Sequence, residues 1–258
     1  MSGTVAFLQA RVRSSRLPGK VLASLQGFSI IEISIKRLKR SKELDGIIVL
    51  TSNEPENDAL AYIVSQHNIP CFRGAENDVL DRYYQGALKF NVEHIVRVTG
   101  DCPLIDPEIV DNVIQLYHKS DADLVSNQLS ESFPDGLDVS VFSFKALESA
   151  WKNGQLASER EHVVPWIIKN SQENGKSLFK VLDYPCKKNL AEQRWTIDEA
   201  SDYIFLQELA KVLPVSLVNA SYTDILNTLE KYPEIKNINA NIVRNEGYQK
   251  SLQKDTVE

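Results

Sequence analysis

Thr4-Val-Ala-Phe-Leu-Gln-Ala-Arg-Val-Arg-Ser-Ser-Arg-Leu-Pro-Gly-Lys20 is a strand-like apolar run, Thr4 to Leu8, that opens directly into a cationic loop. Arg11, Arg13, Arg16 and Lys20 leave the strand end together, and a helix-like pattern follows through Ile30, Ile31, Ile33, Ile35 and Leu38. Planar guanidinium forks and a compact ammonium suit a polyphosphate, and Pro18-Gly19 supplies a turn that can bend around an anion. A solvated basic loop is the alternative. A Walker A loop is excluded: the glycine and hydroxyl positions of that motif hold Ser14 and Val21, so neither the permissive backbone nor the metal-binding hydroxyl is in register.

Working outward, short apolar runs alternate with helical periods. Gly46 to Leu50 precedes Asp58 to Val64; Ile69 to Phe72 precedes Val79 to Phe90; His94 to Val98 precedes Pro107 to Tyr117; and Asp123 to Ser126 follows. Strand and helix in alternation predict an α/β fold, a mostly parallel central sheet flanked by helices, with ligands at the carboxyl ends of the strands. Beyond residue 127 the rhythm loosens into a Pro-Asp-Gly turn at 134 to 136, a strand at Leu137 to Phe142, a helix from Phe144 to Trp151 and a second from Glu159 to Asn170. The region from about 128 to 190 therefore reads as an insertion where a second substrate is recognised. A strand at Arg194 to Ile197 then leads into a helix reaching Val212. The organisation predicted is one domain over 1–213 and a helical extension over 214–258, with a helix near Thr223 to Lys231 and a polar tail of no derivable role.

A 258-residue chain that is 43% hydrophobic and 25% charged can bury a full core. Its net charge of −6 argues against binding polymeric nucleic acid but leaves room for a local basic pocket. The partner expected is small. Cys71, Cys102 and Cys186 lack paired spacing, so neither a zinc site nor a disulfide framework is indicated and a cytoplasmic location is expected. No signal pattern and no apolar run near the ~20 residues that span a bilayer is present.

Three further constellations carry chemistry. Arg97-Val-Thr-Gly-Asp-Cys-Pro-Leu-Ile-Asp-Pro107 ends a strand; Gly100 permits close approach, Asp106-Pro107 reads as a helix cap, and Asp101 is then free to act as an oxygen ligand for magnesium. Asp198, closing Arg194-Trp-Thr-Ile-Asp198, reads equally as a helix N-cap or as a second metal carboxylate. In the inserted region stand Asp135-Gly-Leu-Asp138 and Ser158-Glu-Arg-Glu-His-Val163. Ser158 and Glu161 have capping-box spacing. Glu159, Arg160 and His162 crowd one turn, and His162 could be an acid or base in the physiological range or an orienting hydrogen-bond partner.

Together these motifs, with Phe72-Arg-Gly-Ala-Glu-Asn-Asp-Val-Leu-Asp-Arg-Tyr-Tyr84, make the chain resemble the spore-coat polysaccharide (SpsF-type) cytidylyltransferase-like family, which is related to the acylneuraminate and 3-deoxy-manno-octulosonate cytidylyltransferases. The resemblance implies a nucleotide-diphospho-sugar transferase (GT-A-like) fold. It places Arg11, Arg16 and Lys20 on phosphates, Gln9, Ala10 and Asp78 near base and ribose, Ser14 and Thr99 among the nucleotide-binding residues, and Asp101 and Asp198 on a Mg²⁺ ion, with Mn²⁺ as an alternative. Asp135, Asp138, Glu159, Arg160, His162 and Arg194 fall where the second substrate would be read, with Arg160, Arg194 and His162 expected to pair an acid group. Two departures stand out: Arg13 replaces a usual glycine, and Val164-Pro-Trp166 replaces Thr-Pro-Tyr.

The chemistry implied is attack of an acceptor oxygen on the α-phosphorus of CTP with release of pyrophosphate, Arg16, Lys20 and Asp101 carrying catalysis by positioning and charge neutralisation. Partners expected are CTP and a small acidic sugar, first a nonulosonic-acid-like one for surface polysaccharide, then a sugar phosphate or phosphonate; assembly as a homodimer is allowed for. Two rivals remain. A glycosyltransferase would use an Asp-x-Asp motif, and Asp121-Ala-Asp123 has that spacing but precedes its strand. A non-catalytic nucleotide sensor would share the fold without the chemistry.

Overall fold

A computed structural model describes residues 3–255. Strand β1 (Thr4–Gln9) leads through the cationic loop to a small hairpin, β2 (Ser24–Leu25) and β3 (Phe28–Ser29), and then helix α1 (Ile30–Leu38). Ser29 and Glu32 close a capping box at the start of α1, the Ser29 N–H donating to the Glu32 carboxylate at 2.8 Å. The alternation continues with β4 (Gly46–Ser52), α2 (Asp58–Gln66), β5 (Cys71–Gly74), α3 (Val79–Phe90), β6 (His94–Thr99), α4 (Pro107–Lys119) and β7 (Leu124–Ser126). Asp106 caps α4 by accepting from the Glu108 and Ile109 N–H groups at 2.9 and 3.3 Å, with Pro107 just inside the helix as its sequence requires.

The inserted region supplies β8 (Ser140–Ser143), α5 (Phe144–Asn153), α6 (Ala157–His162), α7 (Pro165–Lys169) and β9 (Val181–Asp183); the chain then forms α8 (Ala200–Val212), α9 (Tyr222–Lys231), α10 (Pro233–Lys236) and α11 (Glu246–Asp255). One seven-stranded sheet runs β5-β4-β1-β6-β8-β7-β9, parallel except where β8 lies antiparallel to β6 and β7. Side chains alternate across it: Val5 and Phe7 enter one core while Ala6 and Leu8 enter the other, because successive residues of a strand face opposite ways. Leu217, Ala220, Ile225 and Leu229 share the core of Ala6 and Leu8, so residues after 213 pack as part of the main body. Arg37, fully buried on α1, ties these parts together by donating to the carbonyls of Leu104, Ile105, Leu217 and Ala220.

Three expected elements are redrawn. The strand expected at 137–142 begins only at Ser140, since the Asn127 side chain takes the Leu137 carbonyl and the Val139 N–H at 2.7 and 2.8 Å and so replaces the ladder. The helix expected over 159–170 breaks into α6 and α7 at Val163, whose φ of 72° closes a tight turn from the Val164 N–H to the His162 carbonyl, just before Pro165. Residues 194–197 form no sheet strand but one bridge, Asp135 to Arg194. They lie across the 134–136 turn, where a Cβ on Gly136 (φ +110°) would stand 2.6 Å from the Thr196 nitrogen. Only glycine allows that approach.

Candidate active site

A cleft of about 740 Å³ opens at the carboxyl ends of β1 and β6, where a parallel sheet places its ligands. Gly100 lets the two strand ends close up, since a Cβ there would meet the Ala10 Cβ at 2.7 Å. From the loop after β1, Lys20 sinks to 8% exposure and sets its ammonium 3.0 Å from Asp101 and 2.5 Å from Asp198. Arg16 pairs with Asp198 at 2.9 Å and with Glu246 of α11 at 2.9 Å. The cationic loop and both carboxylates thus converge on one point. Burial works against the Lys20 charge, but Asp101 and Asp198 overcome it and raise its pKa. Burial likewise opposes ionisation of Asp101, yet Lys20 and Thr99 hold it down to about 2.

Asp198 reaches this point because it is not the helix cap. Glu199 occupies the cap position of α8, and Asp202 accepts the N–H groups of Asp198 and Glu199 at 2.8 and 2.9 Å. The Asp198 carboxylate is therefore left for the cleft. Ser14 lines the cleft while accepting from the Leu17 N–H at 3.3 Å, which tightens the loop. Gln9, Ala10 and Thr99 line it from the strand ends, with the side-chain amide oxygen (Oε1) of Gln9 buried and unpartnered. Arg11 is neutralised by Glu76 and Glu161, each at 3.2 Å. The departure at Arg13 sits exposed at the cleft wall, whereas Trp166 packs against Phe179 away from it.

Asp135, Asp138 and Arg194 also line the cleft, and Arg244 pairs with Asp138. Burial and the neighbouring Asp138 push the Asp135 carboxyl up to about 7 although Arg194 lies 2.8 Å away; burial also raises Asp138 against the pull of Arg244 at 3.3 Å. Several residues expected to contact the second substrate are already engaged here. The Arg194 fork grips Asp202 at 2.8 and 2.9 Å as well as Asp135. Arg160 pairs with Asp78 and donates to the Trp151 carbonyl at 3.0 Å, and Asp78 also caps α3 by accepting from the Asp81 N–H at 2.9 Å. Asp78 is therefore a scaffold acid, with its neighbour Asn77 on the cleft wall.

Glu159, only 4% exposed, caps α6 by accepting the Gln155 and Leu156 N–H groups at 2.9 and 3.1 Å and does not reach the cleft. The Ser158–Glu161 capping box does not form, since Glu161 turns to Arg11. His162 is pushed down to about 4 by burial and by Arg97. It stays neutral near pH 7 and acts as a hydrogen-bonding group, its Nε2 3.1 Å from the Ser251 hydroxyl and its ring edge-on to Tyr248.

Sequence reasoning missed the far wall of the cleft. Tyr248, Lys250, Ser251 and Lys254 of α11 line it, and α11 is fastened to α6 by the Asp255 carboxylate, which accepts the Ser158 N–H at 2.9 Å. A polar tail carries no periodic signal for such a role. Arg82 and Arg97 were also missed, though a charged residue between the buried Ile95 and the strand end Thr99 was a legible sign. Asp121 and Asp123 lie outside the cleft and engage Lys180.

A seven-stranded α/β sheet with a cationic loop facing paired acids at its carboxyl edge defines a nucleotidyltransferase of the nucleotide-diphospho-sugar transferase type. The chain belongs to the cytidylyltransferase family, whose model matches residues 5–246. It is 39% identical over 240 residues to an uncharacterised protein of Methanocaldococcus jannaschii, covering 92% of this chain and 95% of that protein. It is 29% identical to the spore coat polysaccharide biosynthesis protein SpsF of Bacillus subtilis over 81% of this chain and 87% of SpsF. Among solved structures, a cytidylyltransferase from Leptospira borgpetersenii superposes with a TM-score of 0.84 at 33% identity, over 94% of this chain and 99% of that one. No helix of the described residues is long and apolar enough to cross a membrane.

Proposed function

We propose that this protein transfers CMP from CTP to a small acidic acceptor, first an acidic sugar of the nonulosonic-acid kind destined for a surface glycan. The acceptor oxygen forms a bond to the α-phosphorus as the bond to the bridging oxygen breaks, and pyrophosphate leaves. The observation that carries this reading is the meeting of Lys20 with Asp101 and Asp198, 3.0 and 2.5 Å away, beneath Arg16. In the free protein the cations of the loop are paired with acids of the cleft, so both sets stand in place before the nucleotide arrives. On binding, Arg16 and Lys20 exchange carboxylates for phosphate oxygens and stabilise the charge that builds on the departing pyrophosphate.

Among the described residues no cluster of three or more His, Cys, Asp or Glu side chains is arranged for a metal. Two carboxylates aimed at a common point nevertheless suit Mg²⁺ or Mn²⁺, which combines one or two carboxylates with phosphate oxygens and water. Asp101 and Asp198 would hold it, and when bound it would neutralise the triphosphate and polarise the α-phosphate. A glycosyltransferase reading has no matching support, because Asp121 and Asp123 lie outside the cleft.

The test is a pyrophosphate-release screen of the four nucleoside triphosphates against sugar acids, sugar phosphates and phosphonates. The expected result is acceptor-dependent release with CTP. Release of nucleoside diphosphate from a nucleotide sugar instead would overturn the reading.

A further inference from the structure

Among the described residues, two arginines of the cleft have no hydrogen-bond or ion-pair partner. Arg82 on α3 and Arg97 on β6 are 1% and 8% exposed, and both line the cleft. Nε and Nη1 of Arg82 and Nε of Arg97 are buried without an acceptor, and among the described residues neither side chain forms a hydrogen bond or an ion pair. Their placement is fixed by the fold. Arg97 pairs in register with Phe7 of β1 and shares a strand face with Ile95 and Thr99, while Gly74 makes room for Arg82, whose Cγ would lie 3.0 Å from a Cβ at that position.

Burying a guanidinium without an acceptor costs several kcal/mol in general, and here it happens twice at one wall. Glu76 and Glu161 offset the Arg82 charge only in part, because each forms its ion pair with Arg11 and neither makes a hydrogen bond or ion pair with Arg82. Burial, and then the repulsion of Arg11, lower the Arg82 pKa. What such a wall lacks is an oxyanion, which a planar guanidinium fork matches with paired hydrogen bonds.

In the proposed reaction the triphosphate already has Arg16 and Lys20. Arg97 instead acts on His162, which is held by Ser251 and Tyr248 of α11, so it faces the side built from the insertion and the C-terminal helix. We infer that Arg82 and Arg97 form the subsite for the oxyanion of the second substrate, a sugar-acid carboxylate or a phosphate group. The inference rests on the proposed nucleotidyl transfer for its assignment to the acceptor, and it moves acid recognition away from Arg160 and Arg194, whose forks are occupied.

Calorimetry and thermal shift on the full chain test it with three probes, 3-deoxy-manno-octulosonate, glucose 1-phosphate and neutral glucose, each with and without CTP. At least one acidic probe binds the parent protein more tightly than glucose, and the preference between the two names the oxyanion. Arg97→Gln and Arg82→Gln weaken that binding about ten- to hundredfold and leave CTP binding within about twofold; Arg97→Lys falls between. If Arg82→Gln does not fold, Arg97→Gln and Arg97→Lys decide. Unchanged acid binding in the variants, a parallel loss of CTP binding, or no acidic probe preferred over glucose overturns the subsite. Failure of CTP to bind the parent would sink the nucleotidyl-transfer reading instead, while the acid probes would still report on the two arginines.

Discussion

Replacing Lys20 by methionine separates two roles that the structure gives to a single ammonium. Lys20 sits 3.0 Å from Asp101 and 2.5 Å from Asp198, where each Coulomb attraction amounts to about 5.5–6.6 kcal/mol at an effective dielectric of about 20 before desolvation is subtracted. The net worth of one charged hydrogen bond is about 1.5–3 kcal/mol. Lys20→Met removes one such contact to the triphosphate, so CTP affinity measured by calorimetry falls about ten- to hundredfold. The same change strips the competing cation from Asp101 and Asp198, so Mn²⁺ binding in the absence of nucleotide becomes tighter. The two affinities move in opposite directions. Stability follows as well: the parent keeps the benefit of the Lys20–Asp101 pair above the usual carboxylate range and loses it only as pH falls through about 2, where Asp101 is protonated. In the variant the two acids face each other unshielded, Asp101 titrates higher, and the stability deficit relative to the parent shrinks as pH is lowered from 7 to 4. If CTP and Mn²⁺ affinities fall together, or neither changes, the shared-point geometry is refuted.

Other substitutions probe the frame around that point. Arg37→Met leaves four buried carbonyls without their donor and lowers stability by about 3 kcal/mol or more; an unchanged urea midpoint would contradict it. His162, pushed down to about 4 by burial and Arg97, binds its proton more weakly folded than unfolded, so it contributes stability that grows as pH rises from about 4 to its ordinary 6.5, opposite in sign to the contribution of Asp135, whose carboxyl is pushed up to about 7. His162→Gln removes that gain, so its stability difference from the parent widens over this window; a difference that stays constant with pH would show that His162 does not titrate there. Glu246→Gln frees Arg16 from an exposed ion pair, and CTP then binds about two- to fivefold more tightly; weaker binding would mean that Glu246 helps to hold the nucleotide.

Local grammar made much of this protein legible. Period-two and helical patterns located β1, α1, α3 and β6, and Asp106-Pro107 announced the start of α4, because these signals act between residues no more than a turn apart. The cationic loop and Asp101 at a strand's end pointed to a phosphate site for the same reason. Which charge pairs with which was decided elsewhere: Lys20 and Asp198 are 178 residues apart, and no spacing rule spans that distance. Asp202 claims Arg194 and releases Asp198, Asp78 claims Arg160, and α11 folds back onto α6 to wall the cleft. A side chain's chemistry is written in its identity, but its partner is chosen by burial and packing, and only the folded chain brings the competitors within reach of one another.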